Sequence, residues 1–410
     1  MHLGFGTVLA RLCSMAIVML LGHWYGVVVV GIYALGVTVS YYLQPLIDFG
    51  LRHLGARLMA QYPQSANEIM HRVQRRRLLM AGATLPLTLL YALLTKLPID
   101  MKLFLFVFSA TSALYALSLE WAAWGREQLQ VVGLSWVLVP CCILIAIVLG
   151  RPSGNRVLWW ILIGNIVGFL LQATIFRAWW LKHQPGQGAA SLALGEITDA
   201  LALRRTSIMG LSIVGVLAFS SIDMLMLGVM SNPEQVGLYS AAYRVLNQVL
   251  VANYLITSAL YPQFARHSVG DRIRMLRPQI LLSLFGAGVA IALVVAISRR
   301  PVMTILFGHQ FLIACPLLLL LVWAIPLDFL TSYLSSAYIA WGMEKKILLC
   351  TSIAATSNVV LNLIWIPAYG ATAAAINTLI CYVILLTSLA LAGRSAKELA
   401  AAQPQPGMVV

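Results

Sequence analysis

Twelve stretches of roughly twenty apolar residues, separated by short polar or basic connections, constrain this chain more than any other feature. They run over about 3–22, 28–49, 78–95, 103–122, 129–149 and 157–176, then 207–229, 236–260, 279–298, 311–339, 347–366 and 371–392. About twenty residues of helix cross the ~30 Å hydrocarbon core of a bilayer, and no connection is long enough for a sizeable soluble domain. Only 10% of the 410 residues are charged and 61% are hydrophobic, against roughly 25% charged in soluble proteins. That is too few ions to clothe a water-facing surface. The chain is therefore expected to be an all-α polytopic membrane protein with about 12 transmembrane helices.

The 27 Lys and Arg residues exceed the 13 Asp and Glu, for a net charge of +14. In a soluble chain this balance would point to nucleic acid. Here it reads as topology, because cytoplasmic loops collect cations, and no nucleic-acid partner is expected. With the N-terminus inside, the cytoplasmic connections carry 19 Lys and Arg and the outer loops six. Both termini are thus expected in the cytoplasm. The first apolar stretch carries Arg11 and has no clean cleavage site after it, so it reads as a retained span. The six cysteines lie in apolar runs without metal-ligand spacing and read as small buried hydrophobes.

Four segments are expected. Residues 1–182 form an N-terminal six-helix bundle, 183–206 a Gly-, Ala- and Gln-rich cytoplasmic linker, 207–393 a C-terminal six-helix bundle, and 394–410 a disordered cytoplasmic tail. Val30-Gly31-Ile32-Tyr33 opens the second span and Val236-Gly237-Leu238-Tyr239 the eighth. Paired six-span halves would have parallel topology, the arrangement of several transporters. After the second span, Leu51, Leu54 and Leu58 recur at helical spacing beside Arg52, His53 and Arg57, as an interfacial helix would. The basic run ending at Arg77 is expected to stop at the third span, and the tenth to break at Pro316 or Pro326.

Ionisable residues within spans cost about 2.5–3.5 kcal/mol each and so need a partner, a water-filled cavity or a route to the headgroups. Asp48 and Glu120 lie near span ends and are expected to reach headgroup water. Asp223 and Arg244 each lie about 15 Å below the turn at Pro233 and are expected to pair, either clipping two helices together or serving a cavity. Arg11 either snorkels or grips phosphate. Asp328, after Pro326, either sits at a structural kink or binds a proton or Na⁺. Asn247, Gln248, Asn253, Asn358 and Asn362 either join helices or meet sugar hydroxyls. Arg299 and Arg300 either receive a head group or end the ninth span. A Walker phosphate loop, an HExxH motif and a nucleophile elbow are all missing, so neither an enzyme nor an ATP-driven pump is expected, and no cofactor or metal.

Several runs resemble one family. Gly31-Ile32-Tyr33-Ala34-Leu35 with Pro45-Leu46-Ile47-Asp48-Phe49-Gly50-Leu51, and Ser221 through Gly228 with Val236 through Arg244, are similar to Wzx-type flippases, polysaccharide exporters of the MOP superfamily. So are Phe307-Gly308 with Phe311 and the run from Asn358 to Ala371. Asn377 departs from the pattern, standing where the family more often has a small residue. The resemblance implies two six-helix bundles around a central cation-lined cavity. It also implies alternating-access transfer of undecaprenyl-diphosphate-linked oligosaccharide across the bacterial plasma membrane. On that reading Arg11, Arg244, Asn247 and Asn253 bind substrate, while Asp223 and Asp328 pair or couple. Membrane lipids, a polysaccharide polymerase and a chain-length regulator are the implied partners. The runner-up is an ion-coupled multidrug or small-molecule antiporter of the same architecture, and a membrane scaffold ranks below both.

Overall fold

A computed structural model describes residues 2–151, 154–183, 222–266 and 277–402. Among them there is no strand, and eight helices are long and apolar enough to cross a membrane, or nine if a pair bent by 45° is one span. One of the eight, Glu344–Gly393, has 50 residues, about 75 Å of helix against the ~30 Å it must cross. Gly370 inside it is non-helical, at φ 55°. Asn377 donates to Asn362 at 2.8 Å, although fifteen residues of continuous helix would hold them about 22 Å apart. The chain therefore folds back at Gly370 into an antiparallel pair, matching the separate spans expected at 347–366 and 371–392.

Two compact units divide the chain. One comprises Met1–Leu217 with Gly228–Gly237, the other Ala218–Leu227 with Leu238–Val410. Beyond His183 the expected linker lies outside the described residues, as does the expected seventh span up to 221. The last helix continues past Gly393 to Ala402, where a disordered tail was expected. Its Ala, Lys, Glu and Leu are strong helix formers.

The first unit contains α1 (His2–Tyr25), α2 (Val27–Asp48), α3 (Leu51–Gln61), α4 (Ala66–Leu94), α5 (Ile99–Ala110), α6 (Glu120–Gly125), α7 (Leu129–Gly150) and α8 (Val157–Lys182). Gly26 (φ 89°) and Gly50 (φ 81°) adopt the left-handed backbone that starts α2 and α3. The expected spacing of Leu51 and Leu58 does produce a helix, but its apolar stripe packs on protein. Leu51, Leu58 and Met59 join Ile69, Val73, Trp121, Phe176 and Trp180 in one buried cluster. The basic run ends at Arg77, as expected, but the helix of the third span already begins at Ala66. Arginine is a good helix former, so α4 continues through the run. Gly31 and Gly237, the repeated glycines of the two VG(I/L)Y runs, both belong to this unit and mark a close approach. A Cβ on Gly31 would lie 2.1 Å from the Pro233 carbonyl oxygen, and one on Gly237 2.1 Å from that of Val27.

Helices α7 and α8 meet through Gly164 and Gly168, spaced as small residues are where membrane helices touch. A Cβ on Gly168 would lie 2.6 Å from Val139 Cα. Gly168→Leu is expected to lower stability by about 1–3 kcal/mol, the cost of overpacking. Thermal unfolding in detergent checks this, and an unchanged midpoint would contradict the contact.

Helix 222–230, the described part of the expected seventh span, belongs to the second unit over 222–227, and the helix after it does so from Leu238 onward. Helix 222–230 precedes α9 (Pro233–Arg266), α10 (Pro278–Ile297), α11 (Arg299–Phe307), α12 (Cys315–Leu321), α13 (Ala324–Ala340) and the folded-back pair α14 (Glu344–Ala402). The expected break in the tenth span falls between α12 and α13. Pro326 sits in the first turn of α13, where its missing N–H costs little.

Candidate functional site

The fourth expected span is not one helix. After α5, residues Thr111–Leu117 tighten into a 3₁₀ helix before α6 begins, and such a stretch leaves carbonyls without regular partners. Arg77 supplies them. It is 1% exposed and donates to Ser118 O at 2.5 Å and Tyr115 O at 3.2 Å, while its Nε reaches Asp48 at 2.7 Å. The Tyr115 hydroxyl donates to the other Asp48 oxygen at 3.0 Å. Asp48 thus does not reach headgroup water as expected. It is buried because Arg77 and Tyr115 satisfy it.

Glu120 departs from expectation in the same way. It is 3% exposed and pairs with Arg52 at 2.6 Å. Arg52, with its side chain 30% exposed, also lies over the Trp124 ring at 5.4 Å. Burial works against the Arg52 charge, but Tyr115, Glu120 and Asp48 outweigh it and hold its pKa above the ordinary value.

Arg52 faces two cavities. One of about 250 Å³ is lined by Gln44, Arg52, Tyr115, Glu120, Ser135, Trp136 and Gln172 among others. The second, about 220 Å³, adds Tyr41, Asp48 and His53. A third, about 190 Å³, has Ser14, Tyr33, Ser40, Tyr41, Phe108 and Asn165. Gln44 lines all three, so they adjoin around it as a segmented groove inside the first unit. One end carries the Arg52 guanidinium with the Glu120 and Asp48 carboxylates beside it, and the rest carries amides, hydroxyls and aromatic rings. Ser40 Oγ is buried there without a hydrogen-bond partner among the described residues. Asn165 donates to Thr111 Oγ1 at 2.6 Å, fixing α8 against the 3₁₀ stretch.

The second unit holds buried acids. Asp328 accepts from Asn253 at 2.8 Å, Ser332 at 3.3 Å and Tyr382 at 3.4 Å. Asp223 accepts from the Tyr239 hydroxyl, from Thr378 at 3.4 Å and from the Met224 N–H at 3.1 Å. Among the described residues these donors, rather than the expected partner Arg244, meet the Asp223 carboxylate. Equal depth was not enough, because Tyr239 and Arg244 are five residues apart, about 140° around the helix. With Tyr239 facing Asp223, Arg244 points elsewhere. Asn358, Asn362 and Asn377 hydrogen-bond in series across the folded-back pair, so the departure at Asn377 has a structural role. Its own Oδ1 is buried without a partner.

Of the expected substrate contacts, Arg11 is exposed on α1, three residues before the groove residue Ser14. Arg244 is half-buried and Asn247 exposed on α9. Asn253 is turned toward Asp328. Arg299 donates to the Ala296 carbonyl at 2.6 Å, finishing the helix before it. Arg52, Gln44 and Gln172 were not among the expected site residues. The signal for Arg52 was a buried acid nearby that needed a cation, but Glu120 stands 68 positions away in sequence. Among the described residues, no group of three or more His, Cys, Asp or Glu can hold a metal ion.

A search of curated proteins finds no match. The family model of the polysaccharide biosynthesis proteins matches residues 2–268, well over half of the chain. Among solved structures, the chain is similar to the lipid II flippase MurJ in an inward closed conformation, with TM-score 0.74 and 14% identity over 96% of this chain and 87% of that one. It is also similar to an inward-facing multidrug resistance MATE family transporter of the MOP superfamily, with TM-score 0.69 and 13% identity over 97% and 96% of the two chains. At such identities the likeness establishes the fold, and the family model establishes descent. The chain belongs to the polysaccharide biosynthesis protein family and carries the fold of MOP-superfamily transporters.

Proposed function

We propose that this protein is a flippase for undecaprenyl-diphosphate-linked oligosaccharide. It moves the lipid-linked unit from the inner to the outer leaflet of the bacterial plasma membrane by alternating access, supplying synthesis of O-antigen, capsule or exopolysaccharide. The observation that carries this reading is the groove of the first unit, with the partly open Arg52 guanidinium at one end and neutral hydrogen-bonding and aromatic groups beyond Gln44. A diphosphate needs a guanidinium whose fork matches its oxygens. Sugars need amide and hydroxyl partners and aromatic faces. The polyprenyl tail needs neither and stays in lipid.

On this reading the α3 end of the first unit faces the cytoplasm, as do both termini. Arg11, near Ser14 on α1, meets the anion as it enters. In the second unit Arg244 and Asn247 bind substrate, while Asp223, and Asp328 held by Asn253, couple transport to a cation gradient. A polymerase and a chain-length regulator act on the product outside. An ion-coupled small-molecule antiporter is the alternative, favoured by the two buried acids of the second unit. The two separate by ligand. Purified protein in nanodiscs is expected to bind a short-chain polyprenyl-diphosphate disaccharide and to lose about tenfold or more in affinity on Arg52→Gln, as a buried charged hydrogen bond implies. Equal affinity for the dephosphorylated glycolipid would contradict the flippase reading.

A further inference from the structure

The Arg52–Glu120 pair stands at the meeting of two cavities, with its cation partly open and its acid buried. Contact is through one nitrogen and one oxygen, Nη2 to Oε1. The guanidinium has five N–H donors, so most of its fork is not taken by Glu120. Behind the pair, Trp136 lines the same cavity as Glu120.

Any site in a membrane that binds a lipid phosphate faces a competitor problem. Anionic phospholipids outnumber a biosynthetic intermediate, and their phosphodiester groups fit an arginine equally well in shape. Charge distinguishes them. A phosphodiester carries one ionised oxygen, and so does each phosphoryl group of a diphosphate linked at both ends. A diphosphate thus brings two negative charges and a phospholipid one. To reach Arg52, either must displace a carboxylate of charge −1 that is already bound and desolvated. A singly charged headgroup only exchanges one anion for another, whereas a diphosphate adds a second charge where the dielectric is low.

Resting on the flippase reading above, we propose that Glu120 is a specificity-determining residue: it occupies Arg52 against singly charged phospholipid headgroups and yields to a diphosphate. Removing the acid leaves Arg52 open to either, so the change appears in selectivity. A merely structural salt bridge would change stability and leave selectivity alone.

The test is a competition on the full chain in nanodiscs, with labelled short-chain polyprenyl-diphosphate disaccharide as probe and phosphatidylglycerol as competitor. In wild type, a tenfold or larger excess of phosphatidylglycerol is expected to leave the probe bound, on the order set by one extra charge. In Glu120→Gln, phosphatidylglycerol is expected to displace the probe at least about tenfold more readily. Glu120→Gln with the wild-type ratio overturns the proposal. Should that variant not fold, the wild-type competition decides alone: displacement of the probe by equimolar phosphatidylglycerol overturns the role of Glu120 and leaves the flippase reading standing. Failure of the wild type to bind the probe at all overturns both.

Discussion

Replacing Arg77 with methionine is expected to lower the unfolding free energy by about 3–5 kcal/mol, the usual cost of removing one partner from a buried ion pair. The side chain is 1% exposed and serves four acceptors, Asp48 and the carbonyls of Tyr115, Ala116 and Ser118. Its loss strands a buried carboxylate and frees the broken part of the fourth span. Arg77→Met with Asp48→Leu is expected to recover part of the loss, because an apolar pair removes the stranded charge. The carbonyls remain unserved, so recovery is incomplete. Thermal and denaturant unfolding in detergent read both variants. A loss below about 1 kcal/mol for the single variant would show that Arg77 is not what holds the 3₁₀ stretch.

The second large effect is expected in the second unit. Asp223→Asn and Asp328→Asn each keep the shape of the side chain while removing its charge, and hydrogen bonds from Tyr239 and Asn253 persist in altered form. If these acids couple transport to a cation gradient, each change should lower gradient-driven transport by about tenfold or more and leave binding in the groove of the first unit intact. Parallel measurements of transport under a proton or sodium gradient and of probe binding separate the two. Transport at wild-type rate in both variants would remove these residues from the mechanism.

Much of the fold was legible because hydrocarbon imposes a simple rule. Backbone groups must be satisfied within a helix, so apolar length marks spans. The fold-back at Gly370 and the break before Pro326 both left residue types that interrupt helices. The site was less legible. Asp48 and Glu120 stood out as acids near span ends, and snorkelling was a reasonable expectation while their partners were unknown. Arg52 and Arg77 sat among many cations whose number was explained by topology, so neither stood out. Asp223 and Arg244 show a related limit. Counting residues from the turn gives depth, but partner choice depends on helical phase, and a tyrosine two turns from Pro233 met the acid instead. Long-range pairing of a few polar side chains carries no local signature, and the Arg52 end of the groove is built on such pairs.

Leaflet exchange tests the central claim most directly. Vesicles reconstituted with the protein, and loaded in one leaflet with labelled undecaprenyl-diphosphate oligosaccharide, report transfer by the fraction of label that an external reagent can reach. The account predicts exchange well above that of protein-free vesicles, and a fall toward the protein-free rate with Arg52→Gln. Wild-type vesicles that exchange label no faster than empty ones would contradict it.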